Sequence, residues 1–295
     1  MLSILIPVYN YDVRELVYEL HKQCSKCKID FEILVQDDAS TIFKTENSSI
    51  NSFENCDYNL LNKNIGRSAI RNLLAKNAQY ENLLFLDADT QPIDNFFISK
   101  YISKITIEEK IIYGGIQYQI DKPQYDKILR WIYGNAKETL TVDKRNKQNY
   151  LSFLTLNFLV KKSVFNKVSF NENIPNLRHE DTLFSFDLMT NKIKIEHIDN
   201  TVLHLGLDFN IDFVTKSEQA IDNLKYLIDN KLINSRYVKM SALVFDLKKY
   251  KLHLFVSLLY KIIKPLLLKN IYSKNPSLLL FDFYRVGYFC TIYKR

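Results

Sequence analysis

A chain of 295 residues is long enough to bury a substantial hydrophobic core, in one large domain or in a domain with an appendage. Its hydrophobic content of 47% and charged content of 25% are those of an ordinary globular protein, which excludes disorder of the whole chain. The basic excess behind the net charge of +7 lies in the tail, because residues 241–295 contain ten Lys and Arg residues but two acids.

The first predicted elements form a βαβ unit. An apolar run from Leu2 to Pro7 is typical of a buried strand, and no basic region or cleavage site of a signal peptide accompanies it. A helix is predicted from about Asp12, a preferred N-cap residue. The next strand, Phe31 to Val35, leads into two acids, Asp37 and Asp38. Strand, helix and strand within about 35 residues indicate a parallel pair of strands.

The same pattern then repeats, with a strand at Tyr58 to Leu61, a helix from Gly66 to Gln79 and a strand at Leu83 to Asp87. Three of these four predicted strands end in polar motifs, which are Pro7-Val8-Tyr9-Asn10, Asp37-Asp38-Ala39-Ser40 and Asp87-Ala88-Asp89. Ligands of open α/β sheets bind at the carboxyl ends of the strands. We therefore expect the three motifs to share one ligand.

Beyond residue 95 the alternation of strands and helices is less regular. Strands are predicted at Ile111 to Ile120, where Gly114-Gly115 suggests a bulge or a close approach to a ligand, and at Leu151 to Lys161. Helices are predicted at Glu180 to Met189, Phe213 to Asp229 and Arg236 to about Lys264, where Pro265 interrupts the last one.

Charged side chains at two places in the sequence suit the binding of a diphosphate. Asp87 and Asp89 supply hard oxygen ligands for Mg²⁺ or Mn²⁺, although an Asp-rich turn without a metal is the alternative. Arg67 and Arg71 lie four residues apart on one face of the helix that Gly66 opens, where they offer cationic groups to phosphate oxygens. A solvated helix face is the alternative for this pair.

Two further motifs suit a nucleoside. Backbone groups of the Ile6–Asn10 stretch can read a base edge while Tyr9 stacks on the base, and a Pro-containing turn with an incidental Tyr is the alternative. The carboxylate of Asp38 can accept the N–H of a uracil ring, because an ionised acid is only an acceptor.

Four motifs in this order resemble those of family 2 glycosyltransferases of the GT-A fold. They are Ile6-Pro7-Val8-Tyr9-Asn10, Asp37-Asp38-Ala39-Ser40, Asn64-x-Gly66-Arg67-x-x-x-Arg71-Asn72 and Phe85-Leu86-Asp87-Ala88-Asp89. The resemblance covers residues 1 to 95 closely and extends thinly to about residue 210. It implies an α/β fold with a Rossmann-like, mostly parallel central sheet flanked by helices. We expect a transferase domain at 1–235, with a nucleotide-binding half at about 1–95 and an acceptor-binding half at about 96–235, followed by a basic helical extension at 236–295.

The resemblance also implies an inverting transferase that uses a nucleotide-diphosphate sugar, usually a UDP-sugar, and Mn²⁺ or Mg²⁺. The residues expected to bind the nucleotide sugar are Pro7, Val8, Tyr9, Asn10, Asp38, Gly66, Arg67, Arg71, Asp87 and Ala88. Among them, Asp38 would bind the uracil N–H and Asp87 would lie near the ribose, while Asp89 would ligate the metal.

The stretch Arg178 to Phe184 resembles the Glu-Asp motif of the family at the N-terminus of a helix. An inverting transfer needs one general base near the acceptor hydroxyl. We expect Asp181 to be this base and Glu180 to position the acceptor, and an acidic first turn that complements the helix dipole is the alternative. The resemblance further implies that His204, which ends an apolar run after this motif, is a metal ligand, and a buried core histidine is the alternative.

Processive members of the superfamily carry a Gln-x-x-Arg-Trp motif after the Glu-Asp pair. Here Arg130-Trp131 precedes that pair and has Lys127 in place of Gln. We therefore expect a non-processive enzyme. The resemblance and the basic tail imply that it adds a hexose or N-acetylhexosamine to a hydroxyl of a surface glycan, such as a capsule, O-antigen-like or lipid-linked acceptor. A sugar-phosphate nucleotidyltransferase and a catalytically silent nucleotide-sugar-binding protein are the alternatives, and no nucleic acid partner is expected.

Apolar residues at helical spacing stand among lysines in the tail. They are Leu252, Phe255, Val256, Leu259, Ile262 and Ile263, with Lys248, Lys249, Lys251, Lys261, Lys264 and Lys269. This pattern is typical of a helix attracted to an anionic membrane, and a helix packed on the catalytic domain is the alternative. We expect a cytoplasmic protein, with peripheral attachment to the cytoplasmic face of the inner membrane as a second arrangement, and reduced thiols at Cys24, Cys27, Cys56 and Cys290.

Overall fold

The computed structural model describes residues 1–175 and 178–293, and these residues adopt an α/β fold. The strands are β1 (Leu2–Val8), β2 (Phe31–Asp37), β3 (Cys56–Leu60), β4 (Asn82–Leu86), β5 (Thr90–Pro92), β6 (Lys110–Tyr113), β7 (Ile116–Gln117), β8 (Asn157–Lys161), β9 (Lys194–His197) and β10 (Val202–His204). The α-helices are α1 (Arg14–Cys27), α2 (Lys44–Ser48), α3 (Arg67–Asn77), α4 (Phe97–Ile102), α5 (Ile128–Lys137), α6 (Val142–Asn146), α7 (Lys162–Lys167), α8 (Glu180–Thr190), α9 (Asn210–Asp229), α10 (Lys239–Lys249), α11 (Leu252–Ile271) and α12 (Leu278–Ile292).

The central sheet is mostly parallel, which confirms the prediction. Seven strands of the described residues form it in the order β3-β2-β1-β4-β8-β6-β9. Strands β3, β2, β1 and β4 are parallel to one another, β8 is antiparallel to β4 and β6, and β6 is parallel to β9. In this register Val8 pairs with Asp37, and Leu5 pairs with Phe85. The carboxyl ends of β1, β2 and β4 therefore meet at one edge of the sheet.

Aromatic stacking connects this sheet to α8. Phe85 on β4 stacks on Phe158 on β8 with ring centroids 4.8 Å apart. Phe184 on α8 stacks on Phe170 at 4.3 Å, and all four rings belong to one buried cluster. Offset aromatic pairs add to the free energy of apolar burial. This cluster therefore fixes the helix that begins at Glu180.

A smaller sheet contains β5, β10 and β7, and it pairs His204 with Thr90. The single strand predicted at Ile111 to Ile120 is wrong, because its residues are divided between β6 in the central sheet and β7 in the smaller one. A Cβ at Gly114 would lie 2.2 Å from the backbone oxygen of Asn200. The close approach at this glycine is therefore to the protein's own backbone and not to a ligand.

The chain divides into two compact units. Among the described residues, 1–119, 139–175 and 180–206 form the first unit, which contains both sheets. Residues 120–138, 178–179 and 207–293 form the second. The predicted boundary near residue 235 between a transferase domain and an extension stays a prediction.

The second unit is helical, and Phe213 and Phe281 lie in its core with residues of α5 and α11. The single helix predicted from Arg236 is wrong: Lys251, in a left-handed conformation with φ of 61°, separates α10 from α11. Pro265 does not end α11, because it lies on the exposed face, where water can bond to the carbonyl that proline leaves without a donor. In the part of the chain that the structure describes, none of the helices combines the length and apolarity needed to cross a membrane.

Candidate active site

Asp87 and Ala88 follow β4 at the carboxyl edge of the central sheet. The N–H of Asp87 donates to the oxygen of Leu156 (3.0 Å), and its carbonyl accepts hydrogen bonds from the N–H (3.2 Å) and the hydroxyl (2.7 Å) of Thr90. Asp87 Oδ1 also accepts a hydrogen bond from Arg71 Nη2 at 2.7 Å. The Asp87 side chain remains 32% exposed, so a ligand at the sheet edge can reach it.

Arg71 is the buried centre of a cluster of charges. In addition to Asp87, its Nη1 lies 3.7 Å from Glu180 Oε1, and its guanidinium lies 5.3 Å from the ring centroid of Phe170. Arg67 Nη1 lies 3.7 Å from the same Glu180 oxygen, but the Arg67 side chain is half-exposed. The structure therefore joins the Asp-x-Asp and Glu-Asp motifs through Arg71 and leaves Arg67 the more accessible of the two arginines.

Glu180 and Asp181 begin α8 but have different surroundings. Burial raises the pKa of Glu180 and the neighbouring Asp181 raises it further, while Arg67 and Arg71 oppose this change. Asp181 is only partly buried, and its Oδ1 accepts hydrogen bonds from the N–H (2.7 Å) and the hydroxyl (3.3 Å) of Thr182. Glu180 is thus a member of the buried charge cluster, and Asp181 is a more accessible proton acceptor.

Asp89 and His204 come together between β5 and β10. His204 Nε2 lies 3.4 Å from Asp89 Oδ2, and His204 Nδ1 is buried without a hydrogen-bond partner among the described residues. A carboxylate oxygen suits Mn²⁺ and Mg²⁺, and a neutral imidazole nitrogen is a common metal ligand, so this pair fits a divalent cation. In residues 1–175 and 178–293, no group of three or more His, Cys, Asp or Glu side chains is arranged to hold a metal. A cation here would therefore take further ligands from the substrate or from water.

Gly206 leaves the space that Asp89 occupies, because a Cβ at this glycine would lie 2.0 Å from Asp89 Oδ2. We expect Gly206→Ala to displace the Asp89 carboxylate and to weaken Mn²⁺-dependent nucleotide binding about tenfold or more, the size of effect that displaced metal-site partners produce. Calorimetric titration measures this change, and Leu205→Ala, at the neighbouring residue, is the control. Unchanged nucleotide affinity in Gly206→Ala would show that binding does not depend on where the Asp89 carboxylate now lies.

The residue that follows the carboxyl end of β1 has an exposed aromatic ring. Pro7-Val8 ends the strand, and the following Tyr9 is 55% exposed, so its ring is open to stacking. Asn10 adopts a positive φ of 53°, its N–H donates to Ser40 Oγ (2.7 Å), and its Oδ1 accepts from the N–H of Thr41 (2.8 Å). Asn10 therefore holds the loops after β1 and β2 together.

Asp38 holds the loop that precedes α3. Its Oδ1 accepts the N–H of Ile65 (2.6 Å), its Oδ2 accepts the N–H of Gly66 (3.0 Å), and its carbonyl accepts Asn64 Nδ2 (3.0 Å). Gly66 has a φ of 89°, in the left-handed region that favours glycine. The structure gives Asp38 the role of a loop anchor, and its bond to a uracil N–H stays a prediction.

Sequence reasoning missed two residues that interact with Asp89, sterically or electrostatically. Gly206 contacts its carboxylate, as described above. Burial raises the pKa of Tyr11, and the charges of Asp89, Asp12 and Glu15 raise it further. The sequence offered one kind of signal for these two residues, which is their position. Gly206 follows His204 by two residues, and Tyr11 directly follows the Pro-Val-Tyr-Asn motif.

Comparisons with a family model and with solved structures gave matches. The model of the family described as glycosyl transferase family 2 matches residues 3–170. The crystal structure of S. aureus TarS 1-349 in complex with UDP-GlcNAc has 18% sequence identity and a TM-score of 0.52, and the match covers 97% of this chain and 90% of that one. The mannosyltransferase PcManGT from Pyrobaculum calidifontis, in complex with GDP-Man and Mn²⁺, has 11% identity and a TM-score of 0.59, covering 99% and 86%.

At these identities the likeness shows the fold, and it confirms the predicted GT-A architecture. A longer S. aureus TarS structure has 20% identity and a TM-score of 0.50, and the match covers 75% of this chain but 39% of that one. The chain thus spans well under half the length of that TarS structure. A comparison with curated proteins found no match.

Proposed function

Because this chain belongs to glycosyl transferase family 2, we propose that it transfers one hexose or N-acetylhexosamine per encounter from a UDP-sugar to an acceptor hydroxyl, with inversion at the anomeric carbon. The observation that carries this proposal is the meeting of two charge clusters at the carboxyl edge of the sheet. One joins Asp87 to Glu180 through Arg71, and the other pairs Asp89 with His204.

For the donor, the complexes of TarS with UDP and with UDP-GlcNAc support uridine, and the GDP-Man complex of PcManGT defines the alternative base. Tyr9 would stack on the uracil, which Pro7-Val8, Asn10 and the loop from Asp38 to Gly66 would surround. Asp87 and Ala88 would face the ribose, and the half-exposed Arg67 would approach the diphosphate.

Asp89 and His204 would hold Mn²⁺ or Mg²⁺. When bound, the cation supplies positive charge that neutralises the diphosphate leaving group. The Mn²⁺ in the PcManGT complex supports this assignment, as does the pairing of a carboxylate with an imidazole described above.

Asp181 would act as the general base. The acceptor hydroxyl attacks the anomeric carbon, its proton passes to the Asp181 carboxylate, and the bond to the diphosphate breaks so that UDP leaves with the electron pair. Thr182 orients Asp181 by donating two hydrogen bonds to one of its oxygens. Glu180, held by Arg67 and Arg71, would position the acceptor.

The proposed acceptor is a hydroxyl of a surface glycan, either a capsule or O-antigen-like polysaccharide or a lipid-linked saccharide, and the proposed location is the cytoplasm or the cytoplasmic face of the inner membrane. The absence of Gln from the Arg130-Trp131 motif supports a single transfer per encounter. In the second unit Arg130 instead forms an ion pair with Glu138 at 3.0 Å.

A panel of nucleotide sugars tests the donor. We expect UDP-sugars with Mn²⁺ to raise the midpoint of thermal unfolding, because a ligand at 100 times its Kd stabilises the folded state by about 2.7 kcal/mol. GDP-sugars and UDP-sugars with a chelator serve as controls. A larger shift with GDP-sugars would contradict the uridine assignment, and no shift with any nucleotide sugar would contradict the proposed function.

A further inference from the structure

The exposed side of α11 is apolar, and its buried side contains polar as well as apolar residues. Phe255, Leu258, Ile262 and Leu266 form the apolar ridge, and each of them is between 57% and 69% exposed. Spacings of three and four residues place them on one side of the helix over about three turns. The buried polar residues of the helix include His253, Ser257 and Tyr260.

The apolar ridge differs from the set that the sequence predicts. Val256, Leu259 and Ile263 are partly buried, and Ile263 packs against the core of the second unit. Leu258 and Leu266 take their place on the exposed side. Packing within the unit thus buries part of the apolar surface of α11 and leaves the apolar ridge exposed.

Positive charge accompanies the apolar ridge. Lys251, Lys261 and Lys269 are exposed at the start of α11 and along it, and no ion pair is formed by them within the described residues. The acids of the tail are Asp246 and Asp282, and each is already paired with a basic side chain. The surface around the ridge is therefore both apolar and cationic.

We propose that α11 binds an anionic lipid bilayer. The apolar ridge enters the boundary between headgroups and acyl chains, and the lysines contact the lipid phosphates, as an interfacial amphipathic helix does. This inference concerns the second unit and does not depend on the donor or on the transfer reaction.

Charge favours lipid over a second copy of the chain as the occupant. A symmetric contact between two ridges would bring the same lysines of both copies near one another, where like charges repel. Anionic headgroups instead match the lysines in sign.

Cosedimentation of the full chain with vesicles tests the proposal. We expect binding to vesicles that contain equal amounts of phosphatidylglycerol and phosphatidylcholine, with little binding to phosphatidylcholine alone and weaker binding at high salt. The double variant Phe255→Glu, Ile262→Glu should lose about tenfold or more in vesicle affinity, because it puts charge into the apolar boundary. The control is the double variant Ile107→Glu, Ile120→Glu, which adds the same charge at two residues outside α11 that are 96% and 95% exposed.

A second variant, Lys261→Gln, Lys269→Gln, leaves the ridge intact and should weaken binding to the anionic vesicles, and circular dichroism verifies that each variant is folded. Three results would overturn the proposal. The first is that the wild type does not bind anionic vesicles. The second is that the folded Phe255→Glu, Ile262→Glu variant still binds them as the wild type does. The third is that light scattering shows a wild-type dimer that this variant dissociates, while the wild type binds no lipid.

Discussion

Replacing Asp89 with alanine is expected to abolish the Mn²⁺-dependent part of UDP binding. Asp89 supplies the carboxylate of the proposed metal pair, and the only other protein ligand proposed is His204, 3.4 Å away. With the carboxylate gone, the diphosphate would lose the charge of the cation and keep that of Arg67. We expect a loss of about 100-fold or more in UDP affinity, beyond the effect of changing a supporting residue. Isothermal titration with Mn²⁺ and with a chelator measures it.

The matched control is Asp57→Ala, because Asp57 is exposed on β3 and its carboxylate hydrogen-bonds to Asn59 beside it. His204→Ala should lie between this control and Asp89→Ala, because the carboxylate would remain to bind the cation. If Asp89→Ala bound UDP and Mn²⁺ as the wild type does, the cation would have to bind elsewhere and the proposed pair would be wrong.

Asp181→Asn is expected to leave donor binding intact and to remove transfer. The amide keeps an oxygen that can accept the hydrogen bonds of Thr182, so the start of α8 should keep its structure. It cannot accept the proton of the acceptor hydroxyl. A positioned general base contributes about 100-fold to 10,000-fold to a reaction rate, and we expect kcat to fall within this range. Release of UDP from a UDP-sugar, with an accepted glycan present, provides the readout.

Asp187→Asn is the control for this variant, because Asp187 lies on the same helix and has no part in the proposed chemistry. Burial raises the pKa of Asp187 to about 6, and asparagine has nearly the same shape as its carboxyl without the charge. Normal turnover by Asp181→Asn would assign the base to another group, and loss of UDP binding in the same variant would indicate a role in the donor site.

The sequence predicts the first half of the fold well because its signals are local. Alternation of apolar strands with amphipathic helices fixes the order of β1 to β4, and the acids after β2 and β4 mark the carboxyl edge. Parallel pairing then brings these ends together without any knowledge of long-range contacts. This is why Asp87 and Arg71 could be named as candidate site residues from local patterns, whereas Glu180 is named from the resemblance of its stretch to the Glu-Asp motif of the family.

Features that depend on contacts between distant residues could not be predicted. Gly114 lacks a side chain because the backbone of Asn200 comes close to it, and Gly206 lacks one where the Asp89 carboxylate lies. The burial of Arg71 between two motifs likewise depends on α8, whose distance from α3 in the sequence gives no local signal. A helical pattern also does not show which side will be buried, and so the sequence placed partly buried residues of α11 with its exposed ones.

A crystal structure of the wild-type protein with UDP and Mn²⁺ would show where the cation and the nucleotide bind. We expect an anomalous scattering peak for manganese in contact with the Asp89 carboxylate and the UDP diphosphate, with the uracil against Tyr9. UDP bound away from the carboxyl edge of β1, β2 and β4, or manganese bound without contact to Asp89, would contradict this expectation.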